Sequence, residues 1–236
     1  TYNYNYNQLL GNTNQTGLYF NGLIDIAGNI LGLATGADWR TNDTINFLGS
    51  PFSQYVKAEM DIRYYKQFSK KINWANRMIF GYGLPYGNSK QIPFVKQFFA
   101  GGNNSLRGFR SRTVGPGSYR SPNAGNRDAL FLPDQSGDIR FEMNTEFRIK
   151  LFSIIETAIF ADAGNVWLRN DDPLKPGAKF SSKFLSELAM DAGIGLRLDF
   201  TILLLRFDFA FPLKVPYANT PPDKSMVLNL AIGYPF

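Results

Sequence analysis

The 236-residue chain contains no cysteine and no histidine. Those two absences remove disulfide frameworks, thiolate and imidazole metal sites, and any hydrolase built on a histidine base. A carboxylate-only metal site survives this exclusion, but nothing in the sequence singles one out. Long apolar runs are missing too. The richest, Phe200 to Leu205, is bracketed by Asp199 and Arg206, so no transmembrane helix is expected. Residues 1–7, Thr-Tyr-Asn-Tyr-Asn-Tyr-Asn, have neither a basic start nor an apolar block. They read as the start of a mature or trimmed chain rather than a signal or transit peptide. Neither sign of charge dominates: 25 basic against 19 acidic residues leave +6, which decides little about partners. What the chain has in excess is aromatics, at 15% with 21 Phe and 12 Tyr.

The dominant sequence period is two. From 138 to 151 the odd positions are Ile139, Phe141, Met143, Thr145, Phe147, Ile149 and Leu151. The even ones are Asp138, Arg140, Glu142, Asn144, Glu146, Arg148 and Lys150. A helix would smear the two sets around its circumference, whereas a strand puts one row on each face. Residues 187–200 repeat the pattern, with Gly193 and Gly195 inside the polar row, and residues 55–64 do so again. Such segments predict strands near 17–28, 52–68, 71–83, 138–150, 152–167, 187–199, 201–211 and 226–236, with 1–7 as the tail of one more. Tyr2, Tyr4 and Tyr6 would form one face of that tail near a membrane interface.

Short and long connections alternate. Ser69-Lys70, Lys150-Leu151 and Phe200-Thr201 mark tight turns; 29–51, 84–137, 168–186 and 212–225 are long, polar and rich in Gly, Pro, Asn and Ser. One class of join at each end is the layout of an all-β transmembrane antiparallel barrel, with short periplasmic turns and long outer loops. A soluble β-sandwich shares the period but not such lopsided loops. Eight strands would close a small barrel or make the C-terminal half of a larger one, and the tail at 1–7 favours the second.

The connection 84–137 is too long for a passive hairpin. It contains Phe98-Phe99-Ala100-Gly101-Gly102-Asn103-Asn104-Ser105-Leu106-Arg107-Gly108-Phe109. Paired glycines before a glycine-flanked arginine describe either a tight turn presenting Arg107 or a solvated loop charge. Asp191 and Asp199 alternate with apolar residues as any lumen-facing row would, so no aspartate-based active site is expected.

On these residues the chain resembles the BamA/TamA outer-membrane assembly factors, the bacterial surface antigen superfamily. The match consists of Gly101-Gly102, then Leu106-Arg107-Gly108-Phe109, then Glu146 on the following strand, then Phe160-Ala161-Asp162-Ala163-Gly164. The end, with Gly233 three residues before Phe236, is similar as well. The loop most resembles TamA-type proteins of the Bacteroidetes. The resemblance spans 1–236 and implies about eight C-terminal strands of a barrel of about sixteen, with the N-terminal barrel half and the POTRA domains absent.

By parity Glu146 and Asp162 both face the lumen, so a loop folded back inside could bring Arg107 to them; the alternative pairs them with Arg140 or Arg148 along their own wall. The resemblance implies a factor that assembles or inserts outer-membrane proteins through a lateral gate including the last strand, where Gly233 would permit a kink. A two-partner secretion translocator or a passive pore is the other reading. Unfolded outer-membrane clients, lipid and lipopolysaccharide, and accessory assembly subunits are the expected partners, at the Gram-negative outer membrane. No cofactor, metal, nucleic acid or enzymatic step is expected.

Overall fold

A computed structural model describes residues 1–8, 15–36, 45–121, 135–200, 202–217, 220–222 and 225–236. Nine strands form one antiparallel sheet in which each pairs with the next along the chain. They are β1 (Tyr2–Gln8), β2 (Thr16–Ala27), β3 (Tyr55–Ser69), β4 (Ile72–Pro85), β5 (Ile139–Lys150), β6 (Ile155–Trp167), β7 (Ala189–Asp199), β8 (Leu204–Lys214) and β9 (Val227–Ile232). A short helix, α1 (Asn29–Thr35), follows β2. The tail expected at the N-terminus is thus a paired strand, β1, in register with β2 from Tyr2↔Ile24 to Gln8↔Leu18. Among the described residues the edges of the sheet are β1 and β9.

The alternation produces a wall that is inside out relative to a soluble sheet. On β5, Met143 is 49% and Phe147 37% exposed, while Glu142 and Glu146 on the opposite face are 0% exposed. Ile159, Ile194, Phe211 and Leu230 continue the exposed apolar face on β6 to β9. Apolar side chains that decline burial across a whole face require a lipid solvent, so this sheet is part of a transmembrane barrel wall. Towards the short-turn end, Phe68 stacks on Trp74 and touches Phe147, as expected of an interfacial aromatic girdle.

Two strands start later than the sequence period indicates. Leu151 and Phe152 donate their backbone N–H groups to Ile155 O and close a turn before β6, which therefore begins at 155 and not 152. The chain before β8 behaves alike, with Phe200 N donating to Leu203 O. The turns lie where Lys150-Leu151 and Phe200-Thr201 placed them, but periodicity could not give their length, because Leu151, Phe152, Phe200 and Leu203 are apolar and extend the lipid-facing rows. The last strand is also shorter than 226–236. It ends at Ile232 because Gly233 has φ +82°, a left-handed conformation that a strand cannot continue.

The concave face wraps around the connection between β4 and β5. Arg77 of β4 donates to Asn104 O at 3.1 Å, and Asn229 of β9 donates to Arg107 O at 2.8 Å. One loop segment thereby touches strands five neighbours apart, so the sheet is strongly curved. The apolar core lies under this loop: Phe98, Ala100, Leu106 and Val114 from the loop pack on Val166 and Ala189 from the wall. A second cluster, Ile139, Trp167 and Leu188, closes the long-loop end.

Candidate functional site

The loop enters the lumen through a short pair, Phe98–Phe99 with Ser136–Gly137, and a bridge from Ala100 to Val114. Gly101 and Gly102 then take φ of +101° and +103°. A Cβ on Gly101 would stand 2.4 Å from Arg110 O, so only glycine lets the two limbs of the tip close. Gly102 N donates to both Leu106 O and Phe109 O, and Gly101 N donates to Ser105 Oγ. Phe109 packs against the loop core. The result is a stiff turn carrying Arg107 on its inner side, 1% exposed.

Arg107 is the hub of the lumen. Its Nε and Nη2 donate to the two oxygens of Asp162 on β6 at 2.8 and 2.9 Å, a fork-to-fork pair. Nη1 donates to Glu146 Oε2 on β5. Asp208 Oδ2 on β8 stands 3.8 Å from Nη1. The guanidinium lies 3.5 Å over the Phe160 ring, which fits because Gly193 has no Cβ to meet it. Burial works against the Arg107 charge, but the Asp162, Glu146 and Asp208 carboxylates outweigh it and hold its pKa above the ordinary arginine value.

The carboxylates have other cations as well. Arg148 Nε contacts Glu146 at 2.8 Å, Arg197 Nη2 contacts it at 3.0 Å, and Arg197 Nη1 reaches Asp208 at 2.9 Å. Arg206 Nε adds 3.0 Å to Asp208. The Arg197 and Arg206 contacts to Asp208 are close ion pairs whose angles fall outside hydrogen-bond geometry. Arg197 can lie flat on the wall because a Cβ at Gly195 would stand 1.6 Å from its Nη1. Asn144 donates to Asp162 Oδ1 and to Ser105 O, tying wall to loop. Gly108 presses on Asp191, where an added Cβ would sit 2.5 Å from Asp191 Cβ.

The structure therefore brings together Gly101, Gly102, Arg107, Gly108, Phe109, Glu146 and Asp162. Glu146 meets the loop arginine and also its own wall's Arg148, so pairing along the wall accompanies the loop contact and does not replace it; Arg140 instead pairs with Glu142 at 2.9 Å. Gly233 and Phe236 stand apart from the expected closing strand. Past Gly233 the chain turns so that Phe236 is 7% exposed and its carbonyl accepts from Arg148 Nη2 at 3.2 Å. Sequence reasoning missed Arg197, Arg206, Asp208, Asn144 and Asn229. Their place on inward rows was available as a signal, but which of those rows meet the loop was not. Among the described residues no cluster of acidic side chains could hold a metal ion. What this arrangement does chemically is clamp: paired buried charges fix a loop across the concave face.

Comparison with known proteins gives a consistent result. The sequence pattern described as the Omp85 superfamily domain matches residues 3–236. The outer membrane protein assembly factor BamA of Neisseria meningitidis serogroup B is 27% identical over 202 residues, covering 78% of this chain and 24% of that protein. The crystal structure of BamA from Haemophilus ducreyi lacking POTRA domains 1–3 superposes with a TM-score of 0.62 at 22% identity. It covers 98% of this chain and 41% of that one. The chain thus spans well under half the length of either relative.

Proposed function

The chain belongs to the Omp85 superfamily of Gram-negative outer-membrane proteins, which insert or secrete proteins, and from that premise we propose that it serves assembly. In this reading the nine strands are the C-terminal part of a barrel that inserts other β-barrel proteins. Its clients are unfolded outer-membrane proteins, and the remaining barrel strands, POTRA domains and accessory subunits complete the machine. Lipid and lipopolysaccharide surround the apolar belt. No reacting group is required.

The observation that carries the proposal is β9. It has six residues against the eleven of β8, and Gly233, with φ +82°, breaks it off. So short a ladder makes a weakly held strand, and a strand that parts from its neighbour can offer N–H and C=O groups to an incoming one. The loop latched by Arg107 crosses the lumen at the same time, which supports a lateral route rather than passage through an open pore.

The test is a disulfide tying a cysteine introduced in 227–232 to one in the first strand of the intact barrel. Client insertion should stop in the oxidised protein and return on reduction. Insertion at the normal rate in the tethered protein would refute the seam. Export of a soluble partner through the lumen would replace assembly with translocation.

A further inference from the structure

The lipid-facing surface is not evenly filled. One row of register partners across it reads Ile62, Met78, Met143, Ala163 and Met190 from β3 to β7, and the row beside it reads Tyr64, Asn76, Thr145 and Ala161. At Ala161 and Ala163 the wall carries only methyl groups, whereas Ile159, one level towards the short turns, stands 60% exposed. The two rows leave a hollow of about 380 Å³, and Leu213 of β8 lines its far end. Thr145 Oγ1 donates to Asn76 Oδ1 at 2.9 Å, so methyl, methylene and thioether groups form most of the lining. Strands β3 to β8 are each paired on both sides, so the hollow does not depend on either edge of the sheet.

The hollow runs obliquely through one leaflet. Ile62 is the middle residue of β3 and Met78 lies midway along β4, so this end sits near the bilayer midplane. Met190 is the second residue of β7 and Leu213 the last but one of β8, both at the long-loop end, so the other end reaches the outer interface. Five strand spacings of about 4.8 Å make the path about 24 Å long, and strands tilted by about 45° turn that into about 17 Å of depth. One leaflet of a hydrocarbon core about 30 Å thick is about 15 Å deep. At the outer end a bulge sets Lys214 opposite Met190, and Phe141, one level above Met143, meets Phe184 edge-on as an interfacial ledge. We propose that this groove binds one acyl chain of lipopolysaccharide, the lipid of the outer leaflet, with a glycolipid phosphate at Lys214. Flexible thioethers suit the task, because they repack around a chain. The site rests on the barrel's place in the outer membrane and not on the assembly reading.

A photo-reactive residue in place of Met143 reads the occupant in the intact protein, reconstituted in nanodiscs of lipopolysaccharide and phosphatidylethanolamine. The same residue in place of Ile159, outside the groove, reads the surrounding belt. Adducts at 143 should be enriched in lipopolysaccharide over those at 159. Lys214→Gln should cut that enrichment about five-fold, the worth of one lysine beside an anionic headgroup. Ala163→Leu fills the groove from the lipid face without touching strand pairing, and should bring the adducts at 143 to the composition of the belt. Adducts at 159 in the same variant show that it is folded and inserted. Equal composition at the two positions in the otherwise unaltered protein overturns the site, and so does an enrichment that survives Ala163→Leu. Enrichment in phosphatidylethanolamine overturns the lipopolysaccharide assignment. Enrichment lost in Ala163→Leu but untouched by Lys214→Gln overturns the phosphate contact and upholds the acyl-chain groove.

Discussion

Replacing Arg107 by alanine would leave two carboxylates in the lumen without their shared partner. The loss falls unequally. Glu146 keeps Arg148 and Arg197, and Asp208 keeps Arg197 and Arg206, whereas Asp162 has no second cation among the described residues and keeps the Asn144 amide and the residue-107 N–H. Asp162 is 2% and Glu146 0% exposed, so water does not replace the missing guanidinium while the loop remains docked. Breaking a buried pair in this way costs about 3–5 kcal/mol. Each 1.4 kcal/mol is tenfold, so the docked-to-released ratio of the loop should fall by about two to three and a half orders of magnitude. Hydrogen exchange of amides 101–109 in lipid nanodiscs reads that ratio directly. Arg107→Lys keeps the charge but not the fork or the stacking on Phe160, and should fall between the two. In Arg107→Ala/Asp162→Asn the stranded charge is gone, so the double variant should lose less protection than the sum of the single ones. Undiminished protection in Arg107→Ala would refute the clamp.

Further consequences follow from individual contacts. Gly108→Ala places a methyl group 2.5 Å from Asp191 Cβ, which cannot swing aside, so the tip should lift and proteolysis within 98–117 should accelerate. Gly195→Ala drives Arg197 off Glu146 and Asp208, and should lower the barrel's stability by about 1–3 kcal/mol in urea-induced unfolding from lipid. Met143→Arg puts a charge on the lipid face and should cost about 2–4 kcal/mol in the same measurement if the position lies near the midplane, whereas a soluble sheet would tolerate it.

The strand content was legible because a half-buried strand writes its two faces into alternate residues, and β5 does so without a break from Ile139 to Lys150. The loop arginine was legible because glycines on both sides of it mark a backbone that must turn sharply. The turns after β5 and β7 were legible in place, at Lys150-Leu151 and Phe200-Thr201, but not in length. Leu151, Phe152, Phe200 and Leu203 are apolar where a turn in water would be polar, since these turns lie at a membrane interface. Gly233 was visible as a point of weakness, but its φ of +82°, and with it the end of β9, was not.

The sequence alone determined which face of each strand meets lipid, because the solvent on each side selects the side chains one residue at a time. For Arg107 it left two readings, a tight turn presenting the side chain or a solvated loop charge. Which carboxylates receive it was decided by tertiary structure. Arg197 and Asp208 join the clamp because the sheet curves until β7 and β8 stand beside β5 across the loop, a distance set by register and twist rather than by any local pattern.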